Sequence, residues 1–267
     1  MEAWAKPFGN LAAGPLHQLK LTNGQTDMRV EDGVVNFTWE PDGKAFASSL
    51  ATEDTYQLRW RSAAGEDVLL AVDAPRSLSV SPSGERVAFT RESGYEVGGE
   101  PGLHVVDIAS REERRISTVD RAGMGGSGPA WQPVWSPDET SLLLQVSAAD
   151  GPQIVWVESN GRSQFTIPTT ALDEVINAAW HEANPDNAKT MCADTVVMLV
   201  NGRSLITSVS PCPEFMDGPL PGSHLAVLAV DPEAETVTVE EFLPLPNSPA
   251  RLLAWEIPGE SVFVLGE

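Results

Sequence analysis

One short pattern recurs along the chain and constrains its fold more than any other feature. A short apolar strand leads into a turn that contains proline and a small polar or acidic residue, and a second apolar strand follows. Proline fixes φ at the first corner of such a turn, aspartate accepts a bond from a nearby backbone N–H, and glycine takes the positive φ that other residues resist. The pattern predicts a series of tight antiparallel hairpins. Copies lie at residues 37–47, 78–89, 133–144 and 253–264, with a degenerate copy at 178–187.

Each copy has a bulky apolar residue at the end of its first strand. These anchors are Trp39, Val80, Trp135, Trp180 and Trp255. They are separated by 41, 55, 45 and 75 residues. Two further strands follow the hairpin in the second and third copies, at residues 103–108, 113–117, 153–157 and 163–167. Four strands in a repeat of this length are typical of one blade of a β-propeller.

The sequence therefore predicts an all-β chain with a single propeller domain, over residues 15–265, after an N-terminal extension at 1–14. Five four-stranded blades are expected, and six is the alternative because the interval of 75 residues has room for a second blade. Residues 16–30 form an outer hairpin without an inner half, and residues 250–265 form an inner hairpin without an outer half. Pairing them in one blade would close the ring and hide two sheet edges.

The turns carry a family resemblance. The Trp-Ser-Pro-Asp turn at residues 135–138 and its relatives resemble the TolB-like propeller repeat, also called the WD40-like or PD40 repeat. Glu40 and Glu256 replace the usual serine before proline, and the copy around Trp180 has lost the turn. The resemblance covers most of residues 15–265 and implies a non-enzymatic interaction scaffold of the bacterial envelope type, in the periplasm, at the cell surface or secreted.

The charge of the chain excludes several partners. Lys and Arg number 17 against 38 Asp and Glu, a net charge of −21, which repels nucleic acids and anionic lipids. No run of about 18 apolar residues predicts a membrane span, and residues 1–7 lack the features of a secretory signal. Because like charges repel, we expect a monomer. Its partner would be a protein, a peptide or a glycan.

The two cysteines flank a predicted hairpin. Strand-like runs at residues 195–200 and 204–209 surround Gly202, and Cys192 and Cys212 each lie ten positions from that glycine. A three-residue loop centred on Gly202 would place the cysteines opposite each other, within reach of a disulfide. A two-residue turn would shift the register by one, and two free thiols are then the alternative. A disulfide would place the protein outside the cytoplasm.

The residue that follows each anchor gives a candidate metal site. Glu40, His181 and Glu256 follow anchors on blades that are consecutive around a closed ring. Carboxylate oxygens and imidazole nitrogens suit divalent Ca, Mn and Zn to different degrees, and no other cofactor is expected. The alternative is that each side chain caps its own turn or faces water in the central channel.

A glycosidase with Glu40 and Glu256 as its paired carboxylates is the enzymatic alternative. The Gly-rich run at residues 125–129 lacks the closing glycine of a nucleophile elbow, because Pro129 occupies that place. Loops project from propeller faces and commonly bind partners. The candidates are the loops at 93–102 and 119–130 and the proline-rich segment 210–223, in which Phe215 and Met216 are the apolar contact residues.

Overall fold

A computed structural model describes the backbone over most of the chain. The described residues are 2–11, 14–22, 27–52, 55–62, 64–73, 75–91, 99–118, 133–148, 151–186, 190–198, 203–212, 224–244, 250–251 and 265–266. Side chains are described only from residue 33 onward. Glu256, Phe215 and Met216 lie outside these residues.

The described residues form β-strands and one helix. The strands are β1 (Glu2–Leu11), β2 (Gly14–Thr22), β3 (Asp27–Trp39), β4 (Ala45–Ala51), β5 (Tyr56–Ser62), β6 (Asp67–Val72), β7 (Pro75–Val80), β8 (Arg86–Arg91), β9 (Gly102–Asp107), β10 (Glu113–Ser117), β11 (Val134–Trp135), β12 (Ser141–Ala148), β13 (Gly151–Glu158), β14 (Gln164–Pro168), β15 (Met191–Met198), β16 (Ser204–Pro211), β17 (His224–Asp231), β18 (Thr236–Pro244), β19 (Ala250–Arg251) and β20 (Leu265–Gly266). The helix is α1 (Thr169–Ala183).

The strands form successive antiparallel meanders. Sheet one contains β1 to β6, sheet two β7 to β10, sheet three β11 to β14, and sheet four β15 to β18. The inner strands β3, β7, β11 and β15 contact one another in that order. Apolar residues fill the space between consecutive sheets, with Leu58 against Phe89 between sheets one and two, and Leu103 against Trp135 between sheets two and three. Sheets two to four, together with β3 to β6 of sheet one, are stacked four-stranded meanders, which is the arrangement of propeller blades.

The inner hairpins share one register. The last pairs before the turn are Trp39↔Phe46, Val80↔Val87, Trp135↔Leu142 and Met198↔Leu205, each joining residues seven positions apart. In the first three hairpins the residue after the anchor donates its N–H across the turn, over 2.8 to 2.9 Å. The predicted proline turns are therefore confirmed at these three copies.

The anchor of sheet four is Met198, and the prediction that Trp180 ends an inner strand is wrong. Trp180 lies on α1, where Leu172, Ile176 and Trp180 recur every four residues and are all buried. That spacing places the three side chains on one face of a helix. They pack between sheets three and four. Among the described residues, the interval between Trp180 and residue 255 contains a single four-stranded sheet.

Helix α1 also closes the free edge of β15. The Asn177 amide accepts a bond from the Met191 N–H at 2.6 Å and donates one to the Met191 carbonyl at 2.7 Å. Asp173 accepts a bond from the Ala193 N–H at 2.9 Å. Side chains of the helix thus take the place of a neighbouring strand, which satisfies backbone groups that would otherwise be unpaired.

The two ends of the chain do not meet in the described pairings. The predicted outer hairpin at residues 16–30 is present as β2 and the first half of β3, but β3 then continues without a break into the inner strand of sheet one. Strands β19 and β20 pair with each other. Closure of the ring by both termini and the total of five blades remain predictions.

The predicted disulfide between Cys192 and Cys212 is present, with a Cα–Cα distance of 5.0 Å. The register of β15 and β16, however, differs from the predicted one. The pairs beside the turn, such as Met198↔Leu205, are already one position from the predicted register. An irregularity between Ala193 and Val196 shifts the pairing by one more position, so that Cys192 lies opposite Ser210. The cysteines are therefore diagonal neighbours across the hairpin, and that separation is within the range that a disulfide spans.

Candidate functional site

A cleft of about 550 Å³ lies where turns of sheets two, three and four meet. The inner-hairpin turns of sheets two and three, the turn between β13 and β14, and the start of β16 surround it. The side chain of Trp156, which is almost fully buried, belongs to the lining. The charged and amide residues of the lining are Arg86, Asp138, Glu139, Glu158, Asn160 and Arg203.

Glu139 occupies a turn position where the other proline turns have glycine. Its φ is 58°, against 69° for Gly43 and 78° for Gly84 at the equivalent positions. A side chain in this left-handed region costs roughly 1 kcal/mol relative to glycine. The turn of sheet three therefore keeps a carboxylate at a conformational cost, and that carboxylate faces the cleft.

The Glu139 carboxylate joins sheet three to sheet two. It forms an ion pair of 2.5 Å with the Arg86 guanidinium, and it accepts a hydrogen bond from the Ser83 N–H. Burial raises the pKa of Glu139, but the bonds from Arg86 and Ser83 lower it more, to a net value below the usual range. The guanidinium also lies over the Trp135 ring, 4.8 Å from its centroid. These contacts hold both charged groups of this wall in place.

Hydrogen bonds also fix the opposite wall of the cleft. Arg114 on β10 donates to the Ser159 carbonyl at 3.1 Å, and Ser117 donates to the Gln164 amide oxygen at 2.6 Å. The Asn160 side chain accepts a bond from the Arg162 N–H at 2.7 Å within the turn between β13 and β14. The cleft is thus bordered by turns that are fixed by hydrogen bonds before any ligand arrives.

Two further carboxylates line the cleft. Burial raises the pKa of Asp138, but hydrogen bonds from Ser136 and Thr140 lower it more, so the net pKa lies below the usual range. Glu158 is partly exposed, and none of the side chains described in the structure bonds to its carboxylate. With the Arg86–Glu139 ion pair set aside, the lining therefore presents the two carboxylates of Asp138 and Glu158 against one arginine, Arg203.

Glu40 does not face an open channel. Its Oε1 accepts a hydrogen bond from the Trp60 indole N–H at 2.8 Å. Its side chain also lies against Gly84, so close that a Cβ on that glycine would be 3.3 Å from the Glu40 carboxyl carbon. The carboxylate thus links a turn of sheet one to β5 and to the turn of sheet two. The described bond and contact of the Glu40 side chain are therefore with β5 and with sheet two, and not with its own turn.

The proposed equivalence of His181 and Glu40 is wrong, because His181 is exposed on α1. Glu40 follows the end of inner strand β3, whereas α1 bonds to the start of inner strand β15. A strand of eight residues such as β15 is about 26 Å long. The two side chains therefore belong to opposite ends of the inner strands. Within the described ranges, no group of three His, Cys, Asp or Glu residues could hold a metal ion.

A buried polar network lies away from the cleft, between sheets one and two. The Arg91 guanidinium donates to the carbonyls of Val72 at 2.8 Å and Asp73 at 3.0 Å, and to both carboxylate oxygens of Glu113. His104 lies within the network, with Nδ1 2.9 Å from Glu113 Oε1. Burial raises the pKa of Glu113, but His104 and Arg91 lower it more, to about 2. We assign this network to stability, because it faces the interface between two sheets.

Sequence reasoning missed the cleft because its walls come from distant parts of the chain. Arg86 and Glu139 are 53 residues apart, and no local sequence pattern relates one to the other. One signal in the sequence could have pointed to this site. Glu139 occupies the position that is glycine in the Pro-x-Gly turns at residues 41–43 and 82–84.

Several solved structures are similar to this chain over most of its length. TolB from Acinetobacter baumannii is 15% identical, with a TM-score of 0.46 over 88% of this chain and 51% of that chain. A putative TolB from Agrobacterium tumefaciens is 16% identical, with a TM-score of 0.42 over 86% of this chain and 77% of that one. The β-propeller arrangement of this chain is given by its own successive antiparallel sheets.

Other propellers match the chain at similar levels. The β-propeller domain of the Trilobed protease from Pyrococcus furiosus is 12% identical, with a TM-score of 0.46 over 89% of this chain and 66% of that chain. Neither a family model nor a curated protein matches the chain. The propeller spans about half the length of the Acinetobacter TolB. At these identities the likeness concerns the fold alone. The one described helix is too short and too polar to cross a membrane.

Proposed function

We propose that this propeller is a non-enzymatic binding scaffold that works outside the cytoplasm and binds its partner at the cleft between sheets two, three and four. The observation that carries the proposal is the cross-linked turn at Glu139. A carboxylate is kept there in a backbone conformation that favours glycine, and it fixes one wall of the cleft. Backbone strain of this kind concentrates at binding and catalytic sites.

The fixed walls favour binding. Association loses affinity when loops and side chains must be ordered, at roughly 0.5–1.5 kcal/mol for each immobilised side chain. The turns around Glu139 and Asn160 are already held by hydrogen bonds from Arg86, Ser83 and Arg162. A partner that enters the cleft therefore has little of the wall left to order. The volume of about 550 Å³ lies within the range of ligand-binding clefts.

The ionisation of the cleft carboxylates favours a scaffold over a hydrolase. A general acid needs a carboxyl group that keeps its proton near neutral pH, which requires a raised pKa. The pKa values of Asp138 and Glu139 are both lowered. Of the pair considered for a glycosidase, Glu40 is bonded to Trp60 instead.

The disulfide supports a location in the periplasm, at the cell surface or in the extracellular medium. Disulfides persist in oxidising compartments, whereas thiols in the cytosol are kept reduced. Cys192 and Cys212 are joined in the folded chain. The net charge of −21 favours a monomer, because two copies repel each other.

A photo-crosslinking experiment tests the site. A benzoylphenylalanine replaces Asn160, which is exposed at the cleft, and in a control protein it replaces Ala178, which is exposed on α1. After irradiation in an extract of the host cell envelope, we expect a discrete adduct from position 160 and none from position 178. The same adducts from both positions, or none from position 160, would contradict binding at the cleft.

A further inference from the structure

The charge of the cleft indicates the chemistry of its partner. Arg86 is already paired with Glu139 and stacked on Trp135, so its charge is compensated within the wall. Asp138 is ionised, and its bonds come from the neutral donors of Ser136 and Thr140. The structure describes no bond from another side chain to the Glu158 carboxylate.

Resting on the function proposed above, we infer that the partner is a peptide segment that carries a lysine or arginine, bound through the carboxylates of Asp138 and Glu158. A cation in the cleft would gain two carboxylate acceptors without breaking the Arg86–Glu139 ion pair. Charge-assisted bonds of this type are stronger than bonds between neutral groups. An anionic peptide would instead meet these two carboxylates, with Arg203 as the one remaining cation of the lining.

The rest of the molecule reinforces this preference. The chain carries 38 acidic against 17 basic residues, so its field attracts cationic segments over long distances. Specificity, however, must come from the cleft, because the overall charge attracts any cation.

A glycan fits the cleft less well than a peptide does. Sugars present apolar ring faces that stack on exposed aromatic side chains. The aromatic residue of the lining is Trp156, which is 2% exposed, and Trp135 beneath Arg86 is 6% exposed. The Trp135 face also carries the Arg86 guanidinium, 4.8 Å from the ring centroid. Neither ring is open to a sugar.

Synthetic peptides test the inference on the intact chain. The probe is a fluorescein-labelled twelve-residue peptide in which three lysines alternate with glycine and serine, and its binding is followed by fluorescence anisotropy at low salt. Two further peptides carry norleucine or glutamate at the lysine positions. We expect saturable binding of the lysine peptide and at least tenfold weaker binding of the other two.

The variant Glu158→Gln tests the site itself, and it should fold normally because the Glu158 carboxylate makes no described bond. We expect it to weaken binding of the lysine peptide about threefold to fivefold, the size of a partly exposed ion pair. The control Glu174→Gln removes the same charge from an exposed position on α1 and should leave the affinity unchanged.

The inference would be overturned if the lysine peptide did not bind, or if Glu158→Gln bound it as tightly as the wild type. It would also be overturned if Glu158→Gln and Glu174→Gln weakened binding equally, because that result would show attraction to the overall charge alone. These failures are distinct from failure of the proposed function. If a partner crosslinks at position 160 while the lysine peptide does not bind, the cleft is a binding site for a partner of other chemistry.

Discussion

Two junctions between neighbouring sheets are built in different ways. The polar junction, between sheets two and three, holds the Arg86–Glu139 ion pair and the bond from Arg114 to Ser159 at the edges of an apolar core. The helix junction, between sheets three and four, is filled by Leu172, Ile176 and Trp180 of α1 together with apolar side chains of both sheets. The cleft borders the polar groups, whereas α1 contacts the opposite ends of the strands.

The difference separates stability from recognition. Buried apolar area is the dominant favourable term in folding. Partly exposed ion pairs contribute less, but they fix side-chain positions with high geometric specificity. We therefore expect the helix junction to determine how stable the propeller is, and the polar junction to determine the shape of the cleft. Two of the three predictions below test this division, and the other concerns the polar network between sheets one and two.

The largest effect is expected in the helix junction. Ile176 is fully buried on α1, so Ile176→Ala leaves a cavity between sheets three and four. We expect the free energy of unfolding to fall by about 3 to 4 kcal/mol, measured by urea denaturation at neutral pH. Glu174→Ala, at an exposed position on the same helix, should change it by less than about 0.5 kcal/mol. A loss below about 1 kcal/mol for Ile176→Ala would mean that α1 is not part of the core.

A smaller effect should follow acidification. Because the folded pKa of Glu113 is held at about 2, below the ordinary value of 4.5, its ion pairing with Arg91 stabilises the fold fully above pH 4.5. That stabilisation is lost as the pH falls from 4.5 toward 2, and it amounts to roughly 2 kcal/mol after allowance for partial solvent exposure.

Urea denaturation at several pH values between 2 and 7 measures this loss. Glu113→Gln should be less stable than the wild type at pH 7, and its stability should vary less between pH 4.5 and 2. Parallel pH profiles for the two proteins would show that Glu113 is not the titrating group.

The smallest effect is expected in the polar junction. Glu139→Gln keeps a side chain at φ 58° and loses the charge that binds Arg86, so we expect a loss of about 1 kcal/mol. Glu139→Gly loses the same ion pair but relieves the backbone, so it should be more stable than Glu139→Gln by about 0.5 to 1 kcal/mol. Thermal melts of the three proteins measure the order. Equal stability of the Gln and Gly variants would show that the turn is not strained.

The hairpins were predictable because their determinants are local. Proline and glycine or aspartate lie within four residues of one another in each turn, and the apolar strands beside them bury one face. The disulfide followed from the symmetry of Cys192 and Cys212 about one turn, even though an irregularity in the strand changed the register.

Helix α1 was missed because two patterns overlap at Trp180. The spacing from Trp135 matched the repeat, while Leu172, Ile176 and Trp180 matched the period of a helix. Apolar spacing over about two helical turns is the stronger signal, because a single tryptophan specifies no period. The cleft could not be predicted, since the ion pair that shapes its wall joins residues on different sheets.

The hydrogen bond between Asn177 and Met191 makes the contact between α1 and β15 measurable by hydrogen exchange. The Asn177 amide oxygen accepts a hydrogen bond from the Met191 N–H at 2.6 Å. Met191 lies on the inner strand β15, whose other edge pairs with β16. The Met191 amide proton can therefore exchange with solvent deuterium when its bond to Asn177 opens. Its exchange rate in the unmodified protein reports the free energy of that opening at the contact between α1 and β15, without a mutation.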